Sequence, residues 1–370
     1  RATPTLPRYI TADTTVAAGV TQTLANTVPD GLTLQGANSH YVYRAAGSVS
    51  FTNNGTVEMI TNQPGFGAPI GFAVARSSGP NADAWFVNSA TGRFIVAADN
   101  DDGTGVISEF ATEAYGFYGP QQSVHFRNDG YFEVTSVMGS ATGVLTGFDV
   151  NATREVINNG TIIADGGYGG FGVVMGFAAS FRNTGTIAAY GLIEAVGVRW
   201  RQYTGGSFVN TGTIFALNSS DSPFFSVGVL LIENPTAGNE VSPPRVIENG
   251  GVISADIAIL SADGSPPGSV TNHVRNTGQI EGAILLGFGN DAVFNNGGGV
   301  IRGVVLLEQG NDLYDGIGGT LIGSVRGGLG DDTYRIDNAA TDIIENAGEG
   351  ADTVEINRDY TLRDNFENLR

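Results

Sequence analysis

One seven-residue pattern recurs along this chain and decides what it can become: apolar, any residue, Asn, any residue, Gly, any residue, apolar. It stands at Phe51–Val57 (FTNNGTV), Phe126–Phe132 (FRNDGYF), Val156–Ile162 (VINNGTI) and Phe181–Ile187 (FRNTGTI). It returns at Phe208–Ile214 (FVNTGTI), Ile247–Ile253 (IENGGVI), Val274–Ile280 (VRNTGQI) and Phe294–Val300 (FNNGGGV). Its asparagines are Asn53, Asn128, Asn158, Asn183, Asn210, Asn249, Asn276 and Asn296, spaced 20 to 39 residues apart after the first interval. Looser copies around Asn26 (LANTVPDGL) and Asn88 (FVNSATGRF) fill most of the early gap.

Asn and Gly tolerate left-handed backbone angles at little cost, so the pattern reads as a corner between two short strands. A coil of about 25 residues cannot bury its own apolar side chains, but stacked on copies of itself it can. Each amide carries donors and acceptors, so stacked asparagines are expected to bond in a continuous ladder. Crossovers in such a stack are expected to be right-handed. The expected fold is therefore all-β, a single right-handed parallel β-helix with inserted loops. At roughly 4.8 Å per coil, about twelve coils make a rod about 55–60 Å long. Segments 58–85, 99–125 and 215–245 carry most of the Pro, Ser and charged residues and are expected to project as loops, where function usually resides.

The pattern resembles the NxGxI coils of autotransporter passengers and other large bacterial surface adhesins, over about residues 50–300. That resemblance implies architecture and says little about activity.

From residue 287 a second motif overlays the first. GFGNDAV supplies Gly289 and Asp291, EQGNDLY Gly310 and Asp312, GGLGDDTY Gly330 and Asp332, and GEGADTV Gly350 and Asp352. The aspartates are 21, 20 and 20 residues apart, one per coil. Stacked like charges are costly unless something neutralises them, and a hard cation held by carboxylates does so. GGLGDDTYR, Gly327–Arg335, matches the GGxGxDxUx nonapeptide of the RTX (repeats-in-toxin) Ca²⁺-binding family, and the stretch after it is similar to the extended repeat of type I secreted RTX proteins. The resemblance implies Ca²⁺ held by carbonyls of Gly310, Gly328, Gly330 and Gly350 and carboxylates of Asp312, Asp332 and Asp352, with Asp291 a further ligand and Tyr334 facing the core. The Asp291 and Asp312 copies depart from it by lacking the leading Gly-Gly pair. Two regions are read accordingly: 1–286 as β-helix with insertions, and 287–370 as RTX-like coils, a β-roll portion continuous with the same solenoid.

Composition narrows the partners. All 18 basic residues are Arg, against 37 acids, for a formal charge of −19. A nucleic-acid binder would show a basic face, so nucleic acid is excluded and divalent cations are favoured. There is no Cys, hence no disulfide or thiolate site, and no run of roughly 18 apolar residues that would span a bilayer. Arg1 stands where an initiator Met would, and no charged-then-apolar leader precedes the repeats, so a mature product or a piece of a longer precursor is expected.

Candidate chemistry is sparse. GGYGGFG has dinucleotide-like glycine spacing at Gly167, Gly169 and Gly172 but no following helix. His40, His125 and His273 are far apart and lack metal spacing. ADNDDGTG sets Asp99, Asp101 and Asp102 in a solvated turn. Arg93 or Arg199 would serve a polysaccharide lyase only if acidic loops converged on them. Arg199, Trp200, Arg201 and Tyr203 (in GVRWRQY), with Tyr115 and Tyr118 (in YGFYGP), are candidate contacts to a partner protein or glycan. The expectation is an extracellular, calcium-stabilised structural or adhesive protein of the bacterial cell surface that forms homo-oligomers or filaments, a surface layer, fibre or adhesin stalk. A secreted glycan-cleaving enzyme on the same scaffold is the alternative.

Overall fold

A computed structural model describes residues 9–10, 14–16, 21–25, 40–45, 49–61, 69–74, 83–98, 113–119, 123–147, 153–176, 179–201, 206–219, 224–232, 244–262 and 270–370. Every element among them is a β-strand, and every strand pairing is parallel, as a β-solenoid requires. Among the described residues no helix is long and apolar enough to cross a membrane. The chain forms two compact units, Arg1–Arg199 with Ala216–Ser226, and Trp200–Phe215 with Val227–Arg370. The change in coil character near residue 287 falls inside the second unit.

In the first unit a coil is three strands joined by two corners. Ser123–Asn128, Tyr131–Ser136 and Ser140–Thr146 make one coil, and Arg154–Asn158, Thr161–Gly166 and Gly169–Met175 the next. Each strand pairs with its counterpart one coil on, Phe126 with Val156, Phe132 with Ile162 and Val144 with Val173. Side chains alternate between faces along a strand, so the first apolar residue of the template and its Asn both point inward. Equivalent residues then meet at one-coil spacing. Phe51, Phe86 and Phe126 stack as a column, with Phe86 and Phe126 centroids 5.2 Å apart and 1° from parallel. Phe94 and Phe132 repeat this at 5.1 Å across the corner. Offset stacking of buried rings adds to the area they remove from water.

The asparagine ladder is present. Asn53, Asn88, Asn128, Asn158 and Asn183 follow one another, each Nδ2 donating to the next Oδ1 at 2.8 Å. Nδ2 of Asn158 also donates to the carbonyls of Gly160 (3.2 Å) and Thr186 (3.0 Å). The second unit repeats the device through Asn210, Asn249, Asn276 and Asn295.

Three expectations are corrected. Asn295, not Asn296, enters the ladder, and Val293 rather than Phe294 pairs with the core residue Val274. The corner from Asn295 to Val300 is two residues longer than that from Asn276 to Gln279, which moves the Asn–x–Gly spacing off the ladder position. Second, the first seven template corners do not use left-handed angles, since neither their Asn nor their Gly has positive φ; only the eighth does, at Gly298 (φ 86°). Glycine is demanded by space. A Cβ on Gly160 would stand 2.0 Å from the carbonyl oxygen of Gly130, and one on Gly185 2.0 Å from that of Gly160. Third, the segments expected to project as loops contain solenoid strands, Pro69–Val74, Ala114–Gly119 and Val227–Ile232. These form the third face of their coils, which has no Asn–x–Gly corner to announce it. Asn26, Tyr203, Asp99, Asp101 and Asp102 lie outside the described residues.

Candidate metal centre

In the second unit, one position at the start of six successive strands of the Asn-bearing sheet faces the interior. The series begins with Arg245 and Asn272, which open their strands, and continues through Asp291, Asp312, Asp332 and Asp352. All four aspartates are at most 2% exposed. Arg245 Nε donates to Asn272 Oδ1 at 2.8 Å, and Asn272 Nδ2 donates to Asp291 Oδ1 at 3.0 Å. From there backbone amides take over. The N–H of Asp291 donates to Asp312 Oδ1 (2.6 Å), that of Asp312 to Asp332 Oδ1 (2.7 Å), and that of Asp332 to Asp352 Oδ1 (2.9 Å). The N–H of Asp352 donates to Glu367 Oε2 at 2.8 Å.

The residue preceding each aspartate works in the opposite direction. Asn290 Oδ1 accepts from Asn311 N–H (2.9 Å), Asn311 Oδ1 from Asp331 N–H (3.0 Å), and Asp331 Oδ1 from Ala351 N–H (2.9 Å). The glycine before that pair is fixed by clearance. A Cβ on Gly310, Gly330 or Gly350 would lie 1.9, 1.8 or 1.9 Å from the carbonyl oxygen of the preceding coil's glycine. Gly328 has φ of 104° and comes as close to Glu308. Each letter of the Gly-(Asn/Asp)-Asp motif thus locks one coil to its neighbours.

The column leaves a deficit. Oδ2 of Asp291, Asp312, Asp332 and Asp352 is buried with no hydrogen-bond partner, and so is Oε2 of Glu345. Isolated buried carboxylates are strongly disfavoured. Burial accordingly pushes Asp291 up to about 9, Asp332 to about 8, and Asp312 and Glu345 to about 7, while Asp352 is also raised. Neighbouring carboxylates add to the rise at Asp332. Asp332, Glu345 and Asp352 converge, each placing one oxygen within 4.8 Å of the others. Tyr334, fully buried as expected, donates its hydroxyl to Glu345, and the Gly327 N–H donates to the same carboxylate at 3.3 Å. Three carboxylates, each with an oxygen lacking a partner and screened from water, form an all-oxygen donor set that fits a hard divalent cation.

Of the residues singled out in the sequence, Asp332 and Asp352 meet at this point, while Asp291 and Asp312 continue the column away from it. Glu345 was missed because it lies outside the motif. Its signal was the alternation Ile343, Glu345, which carries an acid onto the buried side of a strand end.

The other candidates are placed differently. Trp200 is fully buried against Phe208, with centroids 5.6 Å apart, and so belongs to the core and not to a contact surface. Arg199 pairs with Glu194 at 2.8 Å and lies over the Phe171 ring, and Arg201 ends the same strand half-buried. Tyr115 and Tyr118 meet edge to face, half-buried against Ile70. Arg93 sits over the Tyr131 ring. A surface cavity of about 430 Å³ is lined by Asp165, Tyr190, Leu192 and Leu217 among others but by no Arg, so the acid–arginine convergence of a lyase is not found there.

Fold and site together define a class, the parallel β-solenoids, here with a buried acidic column. No family model, no curated protein and no solved structure matches the chain.

Proposed function

We propose that this chain is a calcium-stabilised β-helix with a structural or adhesive role at the bacterial cell surface. Its C-terminal coils are read as RTX-type repeats of a type I secreted protein. The observation that carries the reading is the row of buried carboxylates whose second oxygens have no partner. Ca²⁺ held by Asp332, Glu345 and Asp352 supplies the missing positive charge, so the coils order where the ion is abundant, outside the cell. Self-association into oligomers or filaments draws support from exposed apolar side chains on the first unit: Phe224 and Phe225 are 60% and 65% exposed, and Leu192 and Leu217 56% and 50%.

Exchange into strong chelator, followed by circular dichroism and electron microscopy, tests the reading. The expected result is loss of β signal and of assemblies, both restored by Ca²⁺. Intact order and assembly in chelator, with unsaturated sugars released from a polysaccharide panel, would overturn it in favour of a glycan-cleaving enzyme.

A further inference from the structure

The surface cavity of about 430 Å³ belongs to neither the acidic column nor the asparagine ladder, and all its lining residues lie in the first unit. Thr135, Asp165 and Tyr190 line it from register positions on successive coils. Val137, Leu192 and Leu217 stand around it, each about half exposed, so the cavity is open to water. Gly166, Gly167 and Gly191 also line it and put no side chain into the space.

The charge of this cavity is one-sided. Asp165 is the single charged side chain in the lining, and among the described residues its carboxylate accepts no hydrogen bond and forms no ion pair. Partial burial, and after it the nearby Glu133, raises its pKa, as befits an acid without a counter-ion. Asn218 adds a second acceptor to the wall. Its Nδ2 donates to the carbonyls of Ile193 and Phe224 at 3.0 Å each, which leaves Oδ1 buried with no partner.

We infer that the cavity receives the side chain of a lysine on a partner polypeptide, with its ammonium at Asp165 and its methylenes against Val137, Leu192 and Leu217. An ammonium brings three donors and no acceptor, the complement of an unpaired carboxylate. Its long stem lies along aliphatic side chains that otherwise meet water. A guanidinium calls for acceptors spread across a plane, whereas a compact point charge needs the one carboxylate that is present. This chain holds no Lys, so a copy of it cannot supply one, and its charge of −19 draws a cationic partner. The inference does not rest on the calcium reading, and it gives Leu192 and Leu217 a partner besides self-association.

The test measures binding of the labelled peptide Gly-Ser-Lys-Ser-Gly to the full chain by anisotropy, at low salt and with Ca²⁺ present. Two further peptides carry arginine or the short-stemmed diaminopropionate in place of the lysine. At pH 6.5 the three have the same charge, so general attraction to an acidic surface cancels. The expected result is binding of the lysine peptide about fivefold tighter than either other. Asp165→Asn should remove that preference and Leu192→Ser reduce it, in proteins whose melting is unchanged. Diaminopropionate or arginine binding as tightly as lysine, or a preference that survives Asp165→Asn, overturns the inference. So does binding of cellotriose, lost in Asp165→Asn, by a chain that does not bind the lysine peptide, which assigns the cavity to a sugar.

Discussion

The first unit and the C-terminal coils of the second solve one problem in two ways. Both must hold stacked coils in register from inside, where water is absent. The first unit uses asparagine, whose Nδ2 and Oδ1 complete one another down the ladder. The C-terminal coils use aspartate, which accepts an amide proton through Oδ1 and leaves Oδ2 without a partner. A row of amides is complete in itself. A row of carboxylates needs a positive species from outside, and so its stability can be set by the surroundings.

Chelation should break that symmetry most. At pH 8 in chelator, amide exchange across residues 290–360 is expected to accelerate by about 100-fold or more, with coils 123–176 unchanged, read by exchange mass spectrometry. Equal acceleration in both regions would remove the distinction. Asn158→Ala, which orphans buried groups on both sides, should cost about 3 kcal/mol in urea unfolding whether or not Ca²⁺ is present.

The next test is pH. Asp291 and Asp332 are raised by burial to about 9 and about 8, against an ordinary value near 4. Such groups hold their protons more tightly folded than unfolded. In chelator their contribution is whole below about pH 4, falls steadily as pH rises, and is fully lost once pH has passed about 8 for Asp332 and about 9 for Asp291. The C-terminal coils should therefore melt higher at pH 5.5 than at pH 9 without Ca²⁺, while the asparagine coils show no such slope. Asp332→Asn should recover about 2 kcal/mol at pH 9 in chelator and blunt the response to Ca²⁺. Smallest is Gly298→Ala: φ is 86° but no atom lies within 4 Å, so only backbone strain of about 1 kcal/mol is expected. Gly160→Ala, blocked at 2.0 Å by a carbonyl, should cost several times more by the same denaturation assay.

What could be read beforehand followed from how each feature is written in the chain. The ladder was legible because a buried amide and a glycine without room for Cβ recur at fixed spacing. It slipped by one at Asn296 because spacing within a corner says nothing of corner length. The third face of each coil, such as Ala114–Gly119, stayed hidden because ordinary strand alternation is its only signature. The aspartate row was visible as a period, but its burial was not, since the same motif suits an exposed turn. Glu345 reaches the site from another face of the coil, so no linear spacing ties it to Asp332 and Asp352.

The buried asparagine rows also carry a direction. In all seven asparagine pairs Nδ2 gives forward to the coil that follows and Oδ1 takes from the coil behind. Oily contacts are indifferent to orientation, and an inverted coil would satisfy them as well. The amides would not accept it, because amino group would then confront amino group in a place no solvent can reach. A winding of reversed polarity would leave those buried amides unmatched, a cost that the apolar contacts do not impose.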